Sequence, residues 1–111
     1  MTESSISKHI QLAAPSVGCR LLRNTVGKLR DRHGRMVSFG LAVGSADLIG
    51  WCQTGALAVF LAVEVKKPGG RTTPAQRQFL DTVTRMGGLG ILAYSVRDFL
   101  DEIRRWKDIH G

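Results

Sequence analysis

Apolar residues recur along this chain with two different periods, and the switches between them divide it into elements. In residues 4–14 (SSISKHIQLAA), Ile6, Ile10 and Ala13 or Ala14 fall at helical spacing, and Pro15 with Gly18 ends the run. This predicts a short amphipathic helix. Cys19 to Asn24 reads as a short strand, after which Gly27, Gly34 and Gly40 punctuate a basic segment expected to form a mobile loop or irregular hairpin. Asp47 to Cys52 and Leu57 to Lys66 are β-rich runs separated by Gln53-Thr54-Gly55-Ala56, a connection short enough for an antiparallel hairpin at the centre of a sheet. The second run is apolar on both faces until Glu64 and Lys66, the pattern of a strand covered on both sides.

Further along, Thr73 as N-cap, Pro74 at the first helical position and Gln76 three residues after the cap form a capping box. A helix is predicted from there to about Met86, with Gly87-Gly88 as its stop. Leu89 to Tyr94 reads as another buried strand. Ser95 with Asp98 repeats the capping pattern, and Phe99, Ile103 and Trp106 lie along one face of a final helix. The predicted order is α-β-β-β-α-β-α, an α/β fold. A hairpin followed by a right-handed helical crossover to a further strand gives a mixed β-sheet flanked by helices.

Composition sets bounds on this picture. A chain of 111 residues with 43% apolar content and no low-complexity segment suits one compact domain over 1–111. The longest apolar stretch, Ala56 to Val63, is far shorter than the roughly 20 residues of a membrane-spanning helix. The N-terminus lacks a charged-then-apolar signal pattern. The expectation is a soluble cytoplasmic protein of a prokaryotic or phage-infected cell, without membrane association. Cys19 and Cys52 lack a CxxC spacing or a matching His pair, so they are expected to be reduced structural thiols rather than zinc ligands.

Charge adds a partner. Sixteen Lys and Arg against nine Asp and Glu give a formal net charge of +7. Between Arg20 and Arg35 six basic residues (Arg20, Arg23, Lys28, Arg30, Arg32 and Arg35) face one acid, Asp31. A polyanion is the natural partner of such a segment, because neutralising phosphates releases condensed counterions. A solvated basic loop serving solubility is the competing explanation. Charge alone does not distinguish DNA from RNA.

The chemistry sits at the strand ends. Residues two apart on a strand share a face, so Glu64 and Lys66 do, and an antiparallel neighbour opening near Asp47 brings a second carboxylate alongside. Magnesium takes octahedral oxygen ligands, commonly one or two carboxylates plus water and substrate phosphate. Asp47 and Glu64 suit that role, with the Val65 carbonyl as a third protein ligand, and the Lys66 ammonium is placed to orient a nucleophile or offset charge on the phosphorane oxygens. A Glu-x-Lys tripeptide on a strand is otherwise a solvated pair. Here it ends a strand too apolar to be a solvated edge, and an unpartnered buried carboxylate is costly.

Gly-Leu-x-x-Gly-Ser-Ala-Asp-Leu-Ile-Gly from Gly40, followed by Glu-Val-Lys-x-Pro-x-Gly-Arg and Thr-Pro-x-Gln, resembles the virus-type replication-repair nuclease (VRR-NUC) domain of the PD-(D/E)xK superfamily. Glu3 in Glu-x-x-Ile, Arg23-Asn24 and Gly87-Gly88 extend the resemblance to nearly the whole chain, so it looks like a stand-alone domain. Ala46 stands where the family's name motif has Pro, which alters a turn and removes no ligand. The resemblance implies a restriction-endonuclease-like core. It also implies Asp47 and Glu64 as metal ligands with Glu3 as a further acidic member, Lys66 as the catalytic lysine and Gln76 as a site-orienting glutamine. The cofactor implied is Mg²⁺ or Mn²⁺. Single-domain members resemble Holliday-junction resolvases acting as homodimers, and a two-fold dimer would offer two equivalent sites to a four-way junction.

The first helix and the face of Phe99, Ile103 and Trp106 are the candidate dimer contacts, although a helix packing into its own core gives the same stripe. Lys67, Arg71, Arg77, Arg20, Arg23 and the Lys28–Arg35 segment are the candidate DNA-backbone contacts. Two other readings remain open: a nicking, flap or RNA-directed nuclease of the same superfamily, and a small basic module that binds DNA without cutting it. His9, His33 and His110 are scattered, which disfavours histidine-based chemistry.

Overall fold

The computed structural model describes residues 1–110. Its elements are α1 (Glu3–Ala13), a 3₁₀ turn (Ala14–Val17), β1 (Cys19–Arg23), β2 (Gly27–Arg30), β3 (Met36–Phe39), β4 (Leu48–Thr54), β5 (Leu57–Val65), α2 (Pro74–Arg85), β6 (Leu89–Ala93) and α3 (Val96–His110). Four strands form a mixed sheet in the order β1-β4-β5-β6. The β1–β4 and β4–β5 pairs are antiparallel, and β5–β6 is parallel after the α2 crossover. The predicted α/β class, the central hairpin and the mixed sheet are therefore all present.

Each helix begins where the sequence supplies a cap. Thr2 Oγ1 accepts from the Ser5 amide at α1. Thr73 and Gln76 form the reciprocal capping box at α2. At α3 Ser95 Oγ accepts from the Asp98 amide, while Asp98 Oδ2 accepts from the Tyr94 amide.

One face of the sheet carries the main core. Leu21, Leu48, Leu61, Val63, Ile91 and neighbouring residues pack under Ile6 and Ile10 of α1 and Phe99 and Ile103 of α3. On the opposite face α2 lies over β6 and the C-terminal half of β5, where Ala46, Ala62 and Leu80 form a smaller cluster. Gly90 permits that close approach, since a Cβ there would lie 2.5 Å from the Leu80 carbonyl oxygen. Cys19 and Cys52 are cross-strand partners, buried and free. Burial pushes the Cys19 thiol far above its ordinary range, which makes it a poor nucleophile.

Three expectations are narrowed or corrected here. Of the two forms expected for the basic segment after β1, a mobile loop or an irregular hairpin, it takes the second, as an ordered two-stranded sheet, β2–β3. It is fixed by its own tip. Asp31 Oδ1 accepts from the amides of His33 and Arg35, and the Asp31 amide donates to the Arg35 carbonyl.

The second correction concerns β5, which is not covered on both faces along its length. α2 has 12 residues, about 18 Å, and does not extend over β1, β4 and the start of β5. Trp51 and Phe60, directly paired across β4 and β5, are each 44% exposed, and Leu22 shares that open face.

The third concerns the dimer contacts. Phe99 and Ile103 lie fully buried in the chain's own core, and Trp106 packs half-buried against it. These side chains are already used. Among the described residues no helix is long and apolar enough to cross a membrane.

Candidate active site

The site forms where β4 begins and β5 ends. Because Leu48 pairs with Val63, the next pair outward sets Asp47 against Glu64. Their backbones and carboxylates interlock: the Asp47 amide donates to Glu64 Oε1 at 3.3 Å, and the Val65 amide donates to Asp47 Oδ2 at 3.0 Å. Lys66 Nζ lies 3.6 Å from Glu64 Oε2. Its amide donates to the Ala93 carbonyl, which anchors the end of β5 to β6.

Glu64 is only 2% exposed. Burial, reinforced by the Asp47 carboxylate, pushes its carboxyl up to about 7, and Lys66 opposes that rise. The Lys66 ammonium is thus paired with Glu64, while the adjacent Asp47 carboxylate has a backbone amide as its partner. Such a site gains from a hard divalent cation.

Asp47 is held from behind by Asn24. The Asn24 amide donates to the Asp47 carbonyl at 2.8 Å. Its side-chain Nδ2 donates to Ser45 Oγ and to the Ala46 carbonyl, both at 2.8 Å, and its Oδ1 accepts from the Leu41 amide at 3.0 Å. A buried carboxamide thereby satisfies its hydrogen-bonding capacity on the loop that delivers Asp47. Gly44 in that loop has φ +88°, and a Cβ there would lie 2.7 Å from Ala75 Cβ, so the loop presses on the first turn of α2. In the sequence Asn24 carries no signal of this role beyond being a polar residue that ends a strand ahead of a glycine-punctuated segment.

A cleft of about 550 Å³ opens in front of Asp47, lined among others by Glu3, Ser7, Arg23, Asn24, Gly27 and Gln76. Gln76 Oε1 accepts from the Thr73 amide, so its capping role is confirmed at the cleft wall. Glu3 Oε2 accepts from the Lys67 amide at 3.2 Å, which ties the start of α1 to the loop after β5. Among the described residues no group of three or more His, Cys, Asp or Glu is gathered closely enough to hold a metal. Of the expected ligands, Asp47 and Glu64 lie side by side, with Val65 between Glu64 and Lys66.

The expected DNA contacts divide into three places. Lys67, Arg71 and Arg77 are exposed on the loop and helix turn beyond Lys66, with Arg77 Nη2 donating to Thr72 Oγ1. Arg23 lines the cleft, and Lys28, Arg30, Arg32 and Arg35 lie on the β2–β3 hairpin beside it. Arg20 stands apart from these, paired with Trp51 on the open face of the sheet.

A mixed sheet carrying two carboxylates and a lysine at the ends of adjacent central strands, with helices on both faces, is a restriction-endonuclease-like core. A family model for the VRR-NUC domain matches residues 6–97, and the chain belongs to that family. No curated protein and no solved structure matches it. Membership makes this a nuclease domain and implies that it binds DNA. Nucleases of this type generally use divalent metals.

Proposed function

We propose that the protein is a Mg²⁺- or Mn²⁺-dependent endonuclease that recognises branched DNA and acts as a homodimer on four-way junctions. The observation that carries this reading is the interlocked Asp47–Glu64 pair with Lys66 Nζ 3.6 Å from Glu64. The donor set fits the cation: Asp47 and Glu64 would supply hard carboxylate oxygens, and the Val65 carbonyl would be a third protein donor. When bound, the cation acidifies a water and offsets charge on the scissile phosphate. Glu3 stands at the cleft edge as an outer acidic member.

The chain's own groups do the rest. The Val65 amide fixes one Asp47 oxygen, and the Asp47 amide fixes one of Glu64, so neither carboxylate has to be ordered when substrate arrives. Lys66 holds positive charge beside the place where water adds to phosphorus and one P–O ester bond breaks. Gln76 secures the first turn of α2 at the cleft wall. Lys67, Arg71, Arg77, Arg23 and the hairpin cations position the backbone rather than read sequence.

The dimer would form on that open face, around Trp51, Phe60 and Leu22, because the α3 stripe is consumed by the core. A two-fold contact there gives two equivalent sites. The test is incubation of labelled four-way junction, flap, splayed duplex and linear duplex with Mg²⁺ or Mn²⁺, beside EDTA. Symmetric nicks in the junction are expected. Cleavage of another structure would retain the site and reject the junction, and binding without cleavage would leave a DNA-binding module.

A further inference from the structure

The β2–β3 hairpin has two unlike faces, and the proposed function uses only one of them. Its register pairs Lys28 with Ser38 and Arg30 with Met36, while Gly27 pairs with Phe39 and Leu29 with Val37. Because side chains alternate along a strand, Lys28 and Arg30 stand on one face and Leu29, Val37 and Phe39 on the other. Leu29 is 65% exposed and Val37 48%. Neither is covered by a helix or by the main sheet.

The arm is built to hold that shape. Arg30 Nη1 donates to the Gly34 carbonyl and Arg35 Nε pairs with Asp31 Oδ2, so the one acid of the tip is occupied internally. At the base the Phe39 ring lies over Gly27, where a Cβ would come within 2.4 Å of Phe39 Cζ. Gly27 also lines the cleft in front of Asp47, so the arm rises directly from the candidate active site.

We infer that this hairpin is a wedge for DNA at a point where strands diverge, with phosphates against its Lys28–Arg30 face and unstacked bases against its Leu29–Val37–Phe39 face. This rests on the nuclease reading and assigns the part of the chain that recognises a branch. In continuous duplex the base faces are stacked on one another and only edges and phosphates are presented. The basic face is satisfied by such a duplex, but the apolar face stays in water. At a branch, flap or junction the terminal base faces become accessible, and stacking or apolar contact with them is favourable and tolerant of sequence. A substrate with separated strands is therefore the one that uses both faces together. Charge complementarity selects nucleic acid over protein as occupant, since four cations between Lys28 and Arg35 accompany an acid that is already paired.

The experiment is fluorescence anisotropy on the full chain in EDTA, with a labelled four-way junction and a linear duplex of the same strand length. Leu29→Thr/Val37→Thr places strand-favouring β-branched side chains at both positions and is expected to lower the junction-to-duplex affinity ratio about tenfold. Lys28→Ala/Arg30→Ala is expected to weaken both substrates by a similar factor and to reduce the salt slope by about 2. Arg104→Ala/Arg105→Ala, on the outer face of α3, is the charge-matched control and leaves both affinities in place. The wedge is overturned if the wild-type protein shows no preference for the junction. It is also overturned if the threonine variant keeps the preference, or changes the molar mass by light scattering instead, which would assign the apolar face to self-association. Cleavage of either DNA by wild-type protein with Mg²⁺, measured in parallel, reports separately on the nuclease reading.

Discussion

The backbone amide of Asn24 donates to the carbonyl of Asp47 across 2.8 Å, and the Asn24 side chain fastens the preceding loop at Leu41, Ser45 and Ala46. Asp47 thus owes its position to a residue that does not touch the other charged groups of the site. Removing the carboxamide leaves buried polar groups unpaired, a loss of roughly 2 kcal/mol or more. Asn24→Ala and Asn24→Asp are expected to lower the melting temperature, weaken Mn²⁺ binding measured by calorimetry, and reduce kcat at saturating metal. Asn24→Asp keeps the acceptor for Leu41 but cannot donate to Ser45 and Ala46, so it should fall short of wild type as well. Wild-type metal affinity in both variants would show that the loop holds Asp47 without Asn24.

The buried Glu64 predicts how stability responds to pH and metal. Its carboxyl is raised from 4.5 in the unfolded chain to about 7 in the folded one, mainly by burial and then by Asp47. The folded state therefore binds the proton more tightly between these values. In EDTA, stability should fall as pH rises from about 4.5 through 7, on the order of 3 kcal/mol in total. Mg²⁺ should raise the melting temperature at pH 8 and do little at pH 5, because ionised carboxylates are what it binds. Glu64→Gln should flatten the EDTA profile. Thermal scans across pH with and without Mg²⁺ check this, and a metal effect of equal size at both pH values would contradict it.

Lys66 is half-buried beside Glu64 and supplies charge that a neutral side chain cannot. Lys66→Ala should reduce kcat about 10²-fold or more while leaving substrate binding in EDTA close to wild type. Lys66→Arg should recover little, since a planar guanidinium does not place its charge where the ammonium does. Single-turnover cleavage with separate binding curves distinguishes loss of chemistry from loss of affinity.

The open sheet face predicts the dimer contact. Replacing Trp51 and Phe60 with Ser removes two aromatic side chains that face each other across β4 and β5. Light scattering should report a dimer for wild type and a monomer for the double variant, with each monomer retaining its fold by circular dichroism. A dimer that survives this substitution would place the contact elsewhere.

How far the sequence alone reached can be traced residue by residue. Asp47, Glu64 and Lys66 were legible because strand periodicity and a short connection fix which side chains meet, and the observed register delivers them. The capping box at Thr73 and the Ser95 cap were legible because they are local. Phe99 and Ile103 were ambiguous because an apolar helical stripe looks the same whether it meets the chain's own core or a partner. The exposure of Trp51 and Phe60 depended on how far α2 reaches across the sheet, a tertiary quantity that no run of residues reveals. The β2–β3 hairpin was one of two forms open for its segment, since its glycines suit a mobile loop as well. Its order comes from Asp31 bonding three backbone and side-chain donors, including His33 and Arg35, at a tip that reads only as charged.

The central claim is that Asp47 and Glu64 together form the metal-dependent hydrolytic site. The most direct test compares wild type, Asp47→Asn and Glu64→Gln in cleavage of a labelled four-way junction across a Mn²⁺ titration. Wild type should nick the junction with saturable metal dependence, and both variants should lose at least about 10²-fold in rate while still binding the DNA. Undiminished cleavage by either variant, or cleavage by wild type in EDTA, would contradict the account.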